Sequence, residues 1–356
     1  MPSTLHLHAD RPGDVAQAAA LLRAGQLVAF ATETVYGLGA HALDPAAVGR
    51  IFAAKQRPAW DPVIVHLASV DQLALVTDIP AALAARVAQL AAAFWPGPLT
   101  LLLPRTKAVP DAVTAGRGLV GVRIPAHPAA QALLRAAAIP IAAPSANRFG
   151  HTSPTTAQHV LDDLAGRIDA VLDAGPTQLG LESTVLDPTQ TPMVLYRPGA
   201  ITPAQLTAAT GVPVTVFSAA SEQTGSSPSS LPSPGVGIRH YAPRARLQLT
   251  GATPEALSAA LRETLQAMST AKNATSKAKT TGVLLPLDWE LPILQTTAVI
   301  QPWADWNSPE ALAASLFACL RALDDRRVDT ILCPLPAPGE PTAALRDRLE
   351  KAAMKS

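Results

Sequence analysis

The feature that most limits what this chain can fold into is a series of short apolar runs, most of them bounded by Pro, Gly or Asn. LVAF (27–30), PVIVHL (62–67), LTLLLP (99–104), GVRIP (121–125), IPIAAPSAN (139–147) and STVLD (183–187) make up the series. Runs so short, with such stops, predict buried strands. Helical patterns lie between them. Asp44-Pro45 offers an N-cap and a first-turn proline, and Val48, Ile51 and Phe52 then share one face of a helix that carries Lys55 at its end. Strands mixed with helices predict an α/β domain with a substantially covered sheet.

The character changes at SAASEQTGSSPSSLPSPGVGIR (218–239), rich in Ser, Pro and Gly and nearly free of large apolar side chains. Such composition predicts an extended linker. The domains are therefore set at 1–217 and 245–356, with a linker over 218–244. In the second domain GVLLPL (282–287) and DTILCP (329–334) read as strands. Ser308-Pro309 caps a helix whose Leu312, Leu316, Leu320 and Leu323 form one stripe, which makes this a small α/β domain. AKNATSKAKTT (271–281) reads as a polar loop.

Composition excludes several classes. A net charge of +1 over 356 residues gives no global field for coating a polyanion, so any anion site must be local. The start, MPSTLHLHADRPGD, has no basic segment followed by an apolar core, and the alanine-rich stretches are interrupted by Arg, Gln, Asp or Pro. The expectation is a cytoplasmic protein without a membrane span. Cys319 and Cys333 lack a CxxC spacing and read as core thiols, and the eight histidines show no metal-ligand spacing, so no protein-built metal site is expected.

The cations that could converge are Lys55 and Arg57 in KQRP, Arg123 in GVRIP, Arg197 in YRPG and Arg239 before HYAP. Together they point to an anion site, because guanidinium forks match phosphate or carboxylate oxygens and Lys55 adds a compact charge. The hydroxyl candidates are Thr32, Thr34, Ser145, Ser153 and Ser183. Ser153-Pro154 reads as an N-cap pair, a role that coexists with phosphate binding at helix amides. Ser145 and Asn147 fall in a short turn after a strand, and His66 ends PVIVH, as a core residue or a holder of a carboxylate. Neither GxxxxGK[ST] nor GxSxG occurs. Gly37-x-Gly39-x-x-Ala42 has a dinucleotide-like spacing, with Asp61 near the place of a ribose-binding acid, but the helix signal begins only at Asp44.

Taken in order, TETVYGLGAHALD, KQRPAWDPVIVH, FWPGPLTLLLP, VGVRIPAHP, APSANRFGHTSPTTAQHV, LESTVLD, YRPGAIT and PGVGIRHYAP resemble the threonylcarbamoyl-AMP synthase family, in its long form with a C-terminal domain. The resemblance implies a YrdC-like twisted-sheet catalytic domain and a smaller Rossmann-like α/β domain. It also implies a nucleotidyltransferase that turns L-threonine, bicarbonate and ATP into L-threonylcarbamoyladenylate and pyrophosphate, for modification of tRNA. Transfer to tRNA would belong to a downstream threonylcarbamoyl-transferase complex, so no stable nucleic-acid binding is required. By resemblance Thr34, His66, Arg123, Ala143 and Ser183 hold L-threonine. Lys55, Arg57, Asp61, Ser145, Asn147, Ser153 and Arg197 hold ATP, and His240 or Tyr241 of the linker covers it. Lys55 and Arg57 are the residues expected to stabilise charge in the reaction, with magnesium arriving on the triphosphate. Ala31 and His41 depart from the family's usual Pro and Asn. Asp61 stands where Asn is common, and a carboxylate beside phosphates needs a cation to offset it. The alternative is an RNA-binding module on the same fold.

Overall fold

In the computed structural model, which describes residues 3–217, 240–270, 280–291 and 298–354, neighbouring residues of one apolar run go to opposite sides of a sheet. Val28 and Phe30 join one buried cluster, with Val15, Leu22, Leu133 and Leu134; Ala29 joins another, with Ile51, Leu90, Leu101 and Val122. A strand buried on both faces needs apolar residues at every position, which is why these runs do not alternate with polar residues. The chain divides into two units, Met1–Phe149 with Ser153–Gly237 and Gly150–Thr152 with Ile238–Ser356. The linker through residue 239 and residues 271–279 of the polar loop lie outside the described residues.

The strands of the first unit are β1 (Leu5–His8), β2 (Val28–Phe30), β3 (Gly37–His41), β4 (Ile64–His66), β5 (Leu99–Pro104), β6 (Leu119–Arg123), β7 (Ile141–Ala142), β8 (Ala170–Asp173), β9 (Thr184–Asp187), β10 (Met193–Arg197) and β11 (Val214–Val216). They form one sheet in the order β1-β8-β2-β3-β7-β4-β6-β5-β9-β10-β11. β4 and β6 run parallel with His66 opposite Arg123, and β5 and β9 run parallel from Leu99 opposite Thr184. Helices Pro12–Arg23 and Pro128–Ala137 supply one covering layer, while Pro45–Lys55 and Ala81–Phe94 contribute to the other. Asp44 caps its helix as expected, accepting from the Ala46 amide, and Lys55 is the last helical residue.

The dinucleotide-like spacing is corrected. Gly37–His41 is strand β3, paired antiparallel with β2, and no helix opens from it. Gly39 is needed for packing: a Cβ there would sit 3.0 Å from both Ile141 Cγ2 and Phe30 Cε1. The Ser153 cap is also corrected. The helix starts later, at Ala157, and Thr156 caps it by accepting from the His159 amide. Ser153 is instead fully buried, with its hydroxyl donating to Glu182 at 2.5 Å.

The second unit holds β12 (Arg246–Thr250), β13 (Thr281–Leu285), β14 (Val299–Pro302) and β15 (Thr330–Pro334), all parallel, in the order β12-β15-β13-β14. Helices Pro254–Thr270, Pro309–Asp325 and Ala343–Ala353 accompany this sheet. Leu312, Leu316, Leu320 and Leu323 are all buried, as their spacing requires. The strand expected through residue 287 stops at Leu285, because Pro286 lacks the N–H that would continue the ladder, and Leu287 is exposed. Both cysteines are buried, and burial raises the pKa of each thiol, that of Cys319 to about 11.

Candidate functional site

The site is built where loops leave the strands of the first unit. Thr32 stands two residues after β2 and accepts the amides of Thr34 and Val35, so the loop closes on its own hydroxyl. That turn presents Thr34, whose hydroxyl lies 2.8 Å from Thr32 Oγ1 and accepts from Arg123 at 2.9 Å. Arg123 is itself held at three points: Thr34, the Gly97 carbonyl at 3.3 Å, and the Glu33 carboxylate at 2.6 Å. Burial pushes the Glu33 pKa up, but the Arg123 charge and its hydrogen bond, with backbone amides, outweigh this and leave it below the usual carboxylate range.

His66 lies beside Arg123 in register, with Phe30 packed edge-on at 6.1 Å. Its Nδ1 is buried without a hydrogen-bond partner among the described residues. Burial, then the Arg123 charge, lower its pKa from 6.5 to about 3. The imidazole is therefore neutral near pH 7. An unfolded chain takes up the proton near pH 6.5, whereas the fold refuses it until about pH 3. Stability from this residue is present above pH 6.5 and lost as the pH falls toward 3, with a limiting slope of about 1.4 kcal/mol per pH unit. Urea unfolding of the parent and of His66→Gln between about pH 7 and about pH 4.5 should show a shallower loss in the variant. Equal slopes would contradict the neutral assignment.

The remaining cations gather around neutral oxygens and one carboxylate. Lys55 is 1% exposed, and its ammonium donates to the carbonyls of Ser145, at 2.6 Å, and of Asn147. Burial first, then the nearby Arg57 charge, lower its pKa well below the ordinary lysine value. Arg197 donates to the Ser183 carbonyl at 2.9 Å and to its hydroxyl at 3.1 Å, and Thr100 shares that hydroxyl at 2.8 Å. Arg57 reaches the Asp61 carboxylate at 2.8 Å and the Pro62 carbonyl at 2.7 Å, with Phe149 beneath its guanidinium. The guanidinium thus offsets the charge of the Asp61 carboxylate.

Backbone contacts tie these groups together. Gly37 bridges to Ser145, the Ala146 amide donates to the Tyr36 carbonyl, and the Tyr36 amide donates to Pro154. The Gly97 carbonyl receives Arg123 while the adjacent Pro98 carbonyl receives the Thr184 amide, which links the Thr34 and Ser183 clusters. The Ala143 amide donates to the Ile64 carbonyl. Thr34, His66, Arg123, Ala143, Ser183, Lys55, Arg57, Asp61, Ser145, Asn147, Ser153 and Arg197 thus all lie in the first unit. His240 and Tyr241 lie in the second, where Tyr241, buried and at φ 62°, stacks on Phe317 and beneath Arg348. Sequence reasoning assigned nothing to Glu33, Thr100 or Glu182. Glu33 could have been suspected as a carboxylate between two threonines at the end of a buried strand, but its partner lies ninety residues away (123 − 33).

Fold and site define an α/β protein that gathers buried cations and hydroxyls at the loops of its larger sheet. Residues 20–199 match the Sua5/YciO/YrdC family model, described as telomere recombination, and residues 201–354 match the model of the threonylcarbamoyl-AMP synthase C-terminal domain. The chain is 41% identical to the threonylcarbamoyl-AMP synthase of Bacillus subtilis, covering 95% of this chain and 92% of that one. It is 39% identical to that of Pyrococcus abyssi, covering 94% and 92%. The crystal structure of P. abyssi Sua5 complexed with L-threonine superposes with a TM-score of 0.83 at 37% identity, over 98% of this chain and 97% of that one. The chain belongs to the threonylcarbamoyl-AMP synthase family.

Proposed function

We propose that this chain makes L-threonylcarbamoyladenylate from L-threonine, bicarbonate and ATP, releasing pyrophosphate, for the threonylcarbamoyl modification of tRNA. The observation that carries the reading is the pair Lys55 and Arg197, two buried cations whose hydrogen-bond partners are neutral oxygens. Such groups attract the negative charge of a triphosphate more strongly than cations already matched to carboxylates. Arg123 and the neutral His66 take the threonine carboxylate. Thr34 and Ser183 take its polar groups, and the Ala143 carbonyl remains for its amine, since the amide there already has a partner.

In the reaction bicarbonate takes up a proton and loses water to give carbon dioxide. The threonine amine adds to that carbon and gives up a proton, so that a carbamate forms with net release of one water. A carbamate oxygen then forms a bond to the α-phosphorus of ATP as the bond to pyrophosphate breaks. No covalent enzyme intermediate is needed; positioning and charge stabilisation are what the chain provides. Lys55 and Arg57 are assigned to that charge, with Ser145, Asn147, Ser153 and Arg197 holding the nucleotide and Asp61 fixing Arg57. Magnesium, when bound with ATP, neutralises phosphate charge. The carboxylates here fit a metal carried by the triphosphate rather than a protein cage, because Glu33, Asp61 and Glu182 are each engaged by a side chain. The implied compartment is the cytoplasm, and the implied receiver a downstream tRNA threonylcarbamoyl-transferase complex.

Burial of Lys55, Arg57, Arg123 and Arg197, all between 1% and 7% exposed, favours a small-molecule pocket over the RNA-binding alternative, which needs cations on an open surface. Purified protein is expected to release pyrophosphate from ATP only when L-threonine and bicarbonate are both present. Release that ignores either one, or salt-sensitive tRNA binding with no turnover, would overturn the reading.

A further inference from the structure

On strand β1 the sequence LHLH places His6 and His8 on one side, and their rings stack at 5.0 Å with 22° between planes. Strand β8 runs alongside in parallel, with Asp173 directly opposite His8. Asp173 Oδ2 lies 3.1 Å from His6 Nε2, and one donor atom from each of the three residues lies within 4.8 Å of the others. We propose that His6, His8 and Asp173 form a binding site for a divalent transition-metal ion of the zinc type.

Tetrahedral bonds of about 2.0–2.1 Å put ligand atoms about 3.3 Å apart, so the His6–Asp173 pair already has the right span and His8 needs only a small side-chain adjustment. The carboxylate is oriented from behind. Its Oδ1 accepts the Gly175 amide at 2.9 Å and lies 3.2 Å from the Tyr36 hydroxyl, so Oδ2 is the oxygen turned to the histidines. The strand is held as well: the His8 amide donates to the Asp14 carboxylate at 2.8 Å and the Leu5 amide to the backbone carbonyl of Asp169 at 2.9 Å. A cleft of about 640 Å³, lined by His8, Asp10, His127 and Asp173 among others, opens beside the cluster and leaves room for the remaining coordination positions. Two imidazoles with one carboxylate select zinc, cobalt, nickel or copper over magnesium or calcium. None of the three residues is assigned to the threonine and ATP pocket, so the site stands or falls independently of the proposed reaction.

Calorimetric titration of untagged, metal-stripped protein with zinc chloride should show one site. His6→Ala and His8→Ala should each weaken it by at least about 10-fold, the scale set by residues that merely orient a ligand, and the double variant should lose it. Retention of the parent's pyrophosphate release in the double variant would mark that loss as local. Cobalt(II) added to the parent should give a visible d–d absorption band, a readout that needs no variant. Zinc binding no tighter in the parent than in the double variant, or a parent without the cobalt band, would overturn the site.

Discussion

In the Lys55→Ala variant, pyrophosphate release dependent on L-threonine and bicarbonate should fall about 100- to 1,000-fold, the loss that follows removal of one preorganised group facing developing charge. Lys55 ends its helix with the ammonium bound to two carbonyls of the APSAN segment, so its position is fixed before any substrate arrives. A side chain already in place needs no reorganisation during the reaction, which is why the effect should fall on kcat as well as on KM for ATP. Truncation also takes one donor from each of the Ser145 and Asn147 carbonyls, so part of the effect can fall on stability. Rates must therefore be compared well below the variant's melting temperature. A fully folded Lys55→Ala protein that keeps more than about a tenth of the parent rate would remove Lys55 from the charge-stabilising role.

Glu33→Ala should destabilise the fold by about 3–5 kcal/mol, because it leaves the Arg123 guanidinium buried and without its carboxylate. Glu33→Gln, which keeps the shape and an acceptor, should be milder. The pairing also makes a pH statement. The Glu33 pKa is lowered on folding, so its stabilisation is present above the ordinary carboxyl value of 4.5 and lost as the pH falls through the folded value. On the proposed function, in which Arg123 takes the threonine carboxylate, Glu33→Gln should raise KM for L-threonine more than it lowers kcat, since the residue paired to Glu33 is Arg123. Urea denaturation of the parent and both variants at about pH 7 and about pH 4 tests this. If Glu33→Ala costs less than about 1 kcal/mol, the ion pair is not the support for Arg123 described above.

Much of the fold could be read from residues in order. The run LTLLLP is strand β5 at its expected bounds, Asp44 caps the helix that delivers Lys55, and the leucine stripe from Leu312 to Leu323 is buried. These signals are local: a cap, a period and a stop residue each act within a few positions of the chain. Strand β1 was missed although LHLH has the alternation of a half-buried strand: four residues carry too short a pattern to stand out, and pairing with β8 is what extends them. Strand β7 shrank to Ile141–Ala142, since the rest of IPIAAPSAN turns away to bring Ser145 against Gly37. Ser153 looked like a helix cap from its proline, yet the neighbouring Thr156 captured the role once Glu182 took the serine hydroxyl.

The site residues divide in the same way. Sequence alone, through ordered short motifs, determined the family, the α/β class and the set of cations and hydroxyls, because residue type and spacing are written in the chain. Only the tertiary structure decided how those charges are shared. It matched Arg123 to Glu33 and Arg57 to Asp61, left Lys55 and Arg197 on neutral oxygens, and brought Asp173 to the histidines of β1. Partners so far apart in sequence meet through strand order and register, and a buried charge takes its strength from the groups that surround it in space.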